Sequence, residues 1–137
     1  MFRTMLVEDN YGVRQLVKDT LQSQFPFIDI IEASDGMEAF QKIDFDPPHL
    51  IFMDIGLPGE NGLELTRKIK IKYPDIIIII LSSHDSPEYR EGARRVKANF
   101  FLAKGSSTPE DVCRLVESIL LGKGFNTDGS DQQLAIA

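Results

Sequence analysis

Four places in a chain of 137 residues carry side chains whose chemistries complement one another. Glu8 and Asp9 form an adjacent pair of acids, Asp54 ends an apolar stretch in FMDIGLPGENG, Ser82-Ser83 offers two hydroxyls, and Lys104 supplies a cation. Carboxylates gathered at one edge repel one another, and each added negative charge drives a proton back on unless a cation is present. A hard divalent cation such as Mg²⁺ answers that need, because it takes oxygen ligands, keeps several waters and uses one or two carboxylates together with phosphate oxygens. Glu8, Asp9 and Asp54 suit such an ion, and Gly56, two residues past Asp54, could add its backbone carbonyl. A carboxylate beside Mg²⁺ can itself attack a phosphoryl group to give an aspartyl-phosphate. Asp54 is the better candidate than Asp9, since the loop Gly56-Leu57-Pro58-Gly59 leaves its face open. A hydroxyl at Ser82 or Ser83 and the Lys104 ammonium would bind the phosphoryl oxygens, because positioned charge and hydrogen bonding carry most of such catalysis.

This chemistry requires a framework that brings residues 8, 54, 82 and 104 to one place. Five short apolar runs, Thr4 to Val7, Ile28 to Ile31, Leu50 to Met53, Ile76 to Leu81 and Asn99 to Leu102, are bounded by turn formers or charges and predict strands. Between them, apolar residues three and four apart, as at Val13, Leu16, Val17, Thr20 and Leu21, predict helices over 11–24, 35–43, 61–73, 86–97 and 108–121. Asp35-Gly36, Asn61-Gly62 and Thr108-Pro109-Glu110 supply helix starts, and Gly122 a stop. Alternation of strand and helix with short links predicts a doubly wound α/β fold, a parallel sheet covered on both faces, with the five-isoleucine run 76–80 at its centre. In such folds ligands sit beyond the carboxyl ends of the strands. Glu8, Asp9, Asp54, Ser82 and Lys104 all fall at those ends, on one rim.

The bulk properties narrow the surroundings. With 42% hydrophobic residues, the chain can bury a core as one domain over residues 1–121, and the polar stretch 122–137 is expected to be a flexible tail or linker remnant, too short for a helical DNA-binding unit. A net charge of −6 argues against this domain gripping nucleic acid by itself. The single Cys113 cannot form an internal disulfide, MFRTMLVED lacks the pattern of a secretory leader, and no apolar run approaches the roughly 20 residues that span a bilayer. A cytoplasmic protein is the expectation. Arg90, Arg94, Arg95 and Lys97 give the fourth helix a basic stretch, most simply a solvated face, otherwise a partner surface.

The combination of VEDN, FMDIGLPGENG, LSSHD and FFLAKG, in this order and spacing over residues 3 to about 121, resembles the receiver domain of two-component response regulators. Each element alone is weak: Glu8-Asp9 would pass for solvated turn acids, Lys104 for a surface charge, Phe101 for core. Together they are specific. The resemblance implies a flavodoxin-like (βα)5 fold with strand order 2-1-3-4-5. It makes Asp54 the phosphoacceptor, Asp9 the direct Mg²⁺ ligand, Glu8 its companion acid, Ser82 the switch hydroxyl, Lys104 the site lysine and Phe101 the switch aromatic. Pro58 and Gly62 match the loop after the acceptor. It implies as partners a sensor histidine kinase or phosphotransfer protein, and a homodimer through the fourth helix, fifth strand and fifth helix. Glu8 stands where aspartate is commoner, Ser82 where threonine is, and Gly105 follows the lysine in place of the frequent proline. That glycine and the LLGKGF segment most resemble receivers of LuxR/NarL-type helix-turn-helix regulators, so that the chain is expected to be a stand-alone receiver or the N-terminal part of a transcriptional regulator.

Competing readings are weaker on particular residues. An aspartyl-phosphate phosphohydrolase carries a second carboxylate two residues after its nucleophile, where this chain has Gly56, so the chain is expected not to be an enzyme beyond its own phosphorylation and dephosphorylation. A flavin-binding relative would need a hydroxyl- and glycine-rich phosphate cradle where Glu8-Asp9 stand. A phosphate-independent interaction module of the same shape remains as the alternative, with the intact acid set and lysine weighing against it.

Overall fold

The computed structural model describes residues 1–130. Five strands and five helices alternate: β1 (Arg3–Val7), α1 (Tyr11–Gln24), β2 (Asp29–Ala33), α2 (Gly36–Phe45), β3 (Leu50–Asp54), α3 (Gly62–Lys72), β4 (Ile77–Ser82), α4 (Pro87–Arg95), β5 (Phe100–Ala103) and α5 (Pro109–Gly122). The strands form one parallel sheet in the order β2-β1-β3-β4-β5, so the doubly wound fold and the expected strand order are both found.

Period-two alternation in the three central strands builds two cores. Met5, Val7, Ile51, Met53, Ile78 and Ile80 face one layer with Ala39, Ile43, Leu65 and Ile69 of α2 and α3. Leu6, Leu50, Phe52, Ile79 and Leu81 face the other, with Leu21 of α1 and Val116, Ile119 and Leu120 of α5. Sequential isoleucines are therefore divided between opposite sides of the sheet. Each such fully buried side chain contributes about 1.5–3 kcal/mol.

The helix starts read from the sequence are in place. Asp35, Asn61 and Thr108 cap α2, α3 and α5, each accepting from the backbone N–H three residues on, and Thr108 and Asp111 form a reciprocal capping box. Several ends differ from expectation. β2 runs from Asp29 to Ala33, not from Ile28 to Ile31, because Arg3 to Val7 of β1 pair in register with Asp29 to Ala33 while the Ile28 N–H closes a turn onto the Phe25 carbonyl. β4 begins at Ile77 and includes Ser82. α4 stops at Arg95, two residues short of Lys97. The Lys97 backbone is left-handed (φ 69°), and the Lys97 and Ala98 N–H groups turn back to the Arg94 and Ala93 carbonyls, a Schellman-type ending with lysine where glycine is usual. α5 includes Gly122, and Lys123 caps it.

Packing continues past the expected boundary at residue 121. The Phe125 ring lies 5.4 Å from Phe2 and 5.7 Å from His49. The Lys123 ammonium donates to the Asp75 carbonyl at 2.6 Å. Residues 131–137 of the expected tail lie outside the described residues. Among the described residues, no helix is long and apolar enough to cross a membrane.

Candidate functional site

The carboxyl ends of β1, β3 and β5 converge. Glu8 follows β1 directly, and its backbone is fixed on both sides: its N–H donates to the Ala33 carbonyl at 3.1 Å, and its carbonyl accepts from Arg14 Nη1 at 2.6 Å. Asn10 caps α1 through its side chain and donates its own N–H to Glu8 Oε2 at 3.2 Å. Asp54 is the last residue of β3 and pairs in register with Leu81, the residue before Ser82. The Lys104 N–H donates to the Ser82 carbonyl at 2.7 Å, which fixes where its side chain departs from β5.

From there the Lys104 ammonium reaches both acids, donating to Glu8 Oε1 at 2.7 Å and Asp54 Oδ1 at 3.1 Å. Glu8 and Asp54 are only 5% and 7% exposed, so these charges meet largely away from water, whereas Asp9 is exposed. One carboxylate oxygen from each of Glu8, Asp9 and Asp54 lies within 4.8 Å of the others. Burial pushes the Glu8 carboxyl above its ordinary value, reinforced by Asp54 and opposed by Lys104. For Lys104, burial works against the charge, but the bonds it donates to Glu8 and Asp54 prevail and hold its pKa above the usual lysine value. A single lysine thus compensates only part of the charge of three acids.

The donor set fits a hard cation. Three carboxylate oxygens are within the span of a single ion's coordination sphere, and Gly56 leaves room beside Asp54: a Cβ there would stand 3.9 Å from Asp54 Oδ2. Gly62 is constrained more severely. A Cβ at this position would lie 2.0 Å from the Asp54 carbonyl oxygen, so the start of α3 is seated directly on the backbone of the acid.

Ser82 is 2% exposed, and its hydroxyl is engaged away from Asp54, donating to the His84 carbonyl at 2.9 Å and accepting from the His84 N–H at 3.0 Å. Ser83 lies exposed, its hydroxyl 3.4 Å from the His84 ring. Phe101 is half-buried on β5, with the Arg90 guanidinium carbon 4.7 Å from its ring centre. The structure therefore gathers Glu8, Asp9, Asp54 and Lys104, seats Gly56 and Ser82 at their edge, and leaves Phe101 one step removed. Arg14 was not legible as part of the site, although its position one turn into α1 brings it back toward the end of β1.

Comparison with known proteins agrees with this geometry. The family model described as "Response regulator receiver domain" matches residues 4–117. Among curated proteins, the chain is 31% identical to the transcriptional regulatory protein DegU of Brevibacillus brevis over 73% of this chain and 42% of that protein. It is 28% identical to the response regulator UvrY of Escherichia coli K12 over 100% of this chain and 62% of that protein. The chain thus spans about half the length of these relatives. Among solved structures, a two-component response regulator of the LuxR family from Aurantimonas sp. SI85-9A1 matches with a TM-score of 0.80 and 30% identity, covering 88% of this chain and 85% of that one. The chemotaxis protein CheY4 of Vibrio cholerae matches with a TM-score of 0.79 and 27% identity, over 88% and 99% of the two chains. With the family model spanning most of its length and LuxR-type regulators among its relatives, the chain belongs to the response regulator receiver domain family of two-component systems.

Proposed function

We propose that this receiver is a phosphorylation-controlled switch whose acceptor is Asp54. The observation that carries the reading is a nearly buried pair of carboxylates, Glu8 and Asp54, sharing the Lys104 ammonium on a rim that stays open at Gly56. An Asp54 carboxylate oxygen attacks the phosphorus of a phosphohistidine on a sensor kinase or phosphotransfer protein. The new O–P bond forms as the N–P bond breaks, and the departing imidazole takes up a proton from solvent. Asp9, Asp54 and the Gly56 carbonyl, with Glu8 as companion acid, would hold Mg²⁺, which would supply charge neutralisation for the phosphoryl oxygens. Lys104 is already within hydrogen-bond reach of Asp54 and offers its ammonium to the transferred group.

The added charge also attracts the Ser82 hydroxyl, which must leave the His84 backbone to reach it. Movement of Ser82 frees space for Phe101 to rotate inward, altering the surface of α4, β5 and α5 that meets a partner or a second copy. Water hydrolyses the acyl phosphate and resets the switch. With no side chain at Gly56 to act as general acid, the protein serves as acceptor and does not turn over external phosphate esters. The setting is the cytoplasm, the output transcriptional regulation, and this domain does not itself bind DNA.

The test is intact-protein mass spectrometry after incubation with acetyl phosphate. One phosphoryl adduct on wild type, lost in Asp54→Asn, is expected; equal adduct on both proteins would refute the assignment, and no adduct on a folded wild type would favour the phosphate-independent module.

A further inference from the structure

The loop between β4 and α4 is tied to its helix by two independent side-chain pairs. The His84 ring stacks on Tyr89, with centres 5.1 Å apart and planes at 23°. One residue on, the Asp85 carboxylate accepts from Arg90 Nε at 2.5 Å. The same guanidinium lies 4.7 Å above the ring of Phe101 on β5. Arg90 therefore touches, at once, the loop that follows Ser82 and the aromatic ring on the neighbouring strand.

The Ser82 end of that loop is closed as well. Its hydroxyl makes both of its bonds to the backbone of His84, so Ser82 cannot approach Asp54 without disturbing the residue that stacks on Tyr89 and adjoins Asp85. A guanidinium over an aromatic ring is attracted to it, and the paired carboxylate holds the Arg90 head group in place there. We propose that Arg90 is a positioning residue: oriented by Asp85, it clamps Phe101 in its present half-buried position and couples that position to the Ser82 loop.

The inference rests on the reading of Ser82 and Phe101 as the moving parts of the switch. It adds the restraint that opposes the movement. Each interaction is at the surface, so the clamp is a modest bias on a two-state equilibrium, and its removal is expected to raise the inward population of Phe101 about threefold.

The test uses the unphosphorylated protein without Mg²⁺ or phosphate donor, and reads the χ1 populations of Phe101 from NMR scalar couplings in wild type, Arg90→Met, Arg90→Lys and Asp85→Asn. Arg90→Met keeps the stem but removes the charge, and is expected to give the roughly threefold rise. Arg90→Lys restores charge over the ring and should return most of the wild-type population, while Asp85→Asn should fall between wild type and Arg90→Met. Unchanged Phe101 populations in Arg90→Met would overturn the proposal, as would a lysine variant indistinguishable from the methionine one. Because no phosphate is present, this outcome is independent of whether Asp54 accepts phosphate. The rate of adduct formation from acetyl phosphate, measured separately, tests that reading; with both correct, Arg90→Met takes up phosphate about threefold faster than wild type.

Discussion

Replacing Gly62 by alanine is expected to damage both the fold and the site, and the size of the effect follows from one contact. The added Cβ would meet the Asp54 carbonyl oxygen at 2.0 Å and its carbon at 2.8 Å, with the Ile55 Cα at 3.0 Å. All three atoms are backbone, so no side-chain rotation can relieve the clash. To reach ordinary van der Waals separation the first turn of α3 must retreat by more than about 1 Å, or β3 must bend. Either movement stretches the bond from the Gly62 N–H to the Ile55 carbonyl, now 2.9 Å, whose loss costs about 1 kcal/mol. Overpacking a closely packed position adds about 1–3 kcal/mol. The sum is about 3 kcal/mol, a large share of the roughly 5–15 kcal/mol that stabilises a domain. Urea denaturation of Gly62→Ala should show this loss, with Tm lower by roughly 10 °C. Adduct formation from acetyl phosphate should also slow, because displacement of the Asp54 backbone moves its carboxylate relative to Lys104. A loss below about 1 kcal/mol together with unchanged phosphate uptake would refute the claim that α3 is seated on the acceptor's backbone.

Glu32 accepts from Arg14 and Lys18; burial works to raise its pKa, but those bonds prevail and hold it below the usual glutamate value. A depressed folded pKa gives stability that is present above the unfolded value and lost as pH falls through the folded one. Glu32→Gln should therefore be less stable than wild type at pH 7, with the difference shrinking as pH falls past the ordinary glutamate value of 4.5 and vanishing only below the lower folded pKa. A difference in urea midpoint that is the same at pH 7 and pH 3 would contradict this. Phe125→Ala should cost about 2 kcal/mol by removing the ring packed on Phe2 and His49, read as a lower urea midpoint with phosphate uptake unchanged. Chelation of divalent cations should suppress adduct formation on wild type, whereas uptake at an undiminished rate in EDTA would remove the metal from the account.

The sheet and the acidic rim were legible because their signals are local. Apolar runs mark the strands, their alternation divides Ile78 and Ile80 from Ile79 and Leu81, and a chemically active residue at the end of a run must lie on the rim. Edges were harder to read. β2 lies at the sheet's margin, begins on Asp29 and carries Glu32 next to its last residue, so hydrophobicity does not mark its limits. α4 ends without glycine because Lys97 takes the left-handed conformation itself. Some contacts left no periodic trace: Arg14 folds back on the Glu8 carbonyl and Arg90 on Asp85 across a turn, while Arg90 over Phe101 and the ring cluster of Phe2, His49 and Phe125 depend on the folded topology to bring them together.

The central claim is that Asp54 carries the phosphoryl group. Borohydride reduction of protein treated with acetyl phosphate and Mg²⁺ converts an acyl phosphate on aspartate to homoserine, and peptide mapping then locates it. Homoserine at residue 54, absent when Mg²⁺ is withheld, is the result this account predicts. Homoserine at residue 9, or reduction at residue 54 that is equally extensive without Mg²⁺, would contradict it.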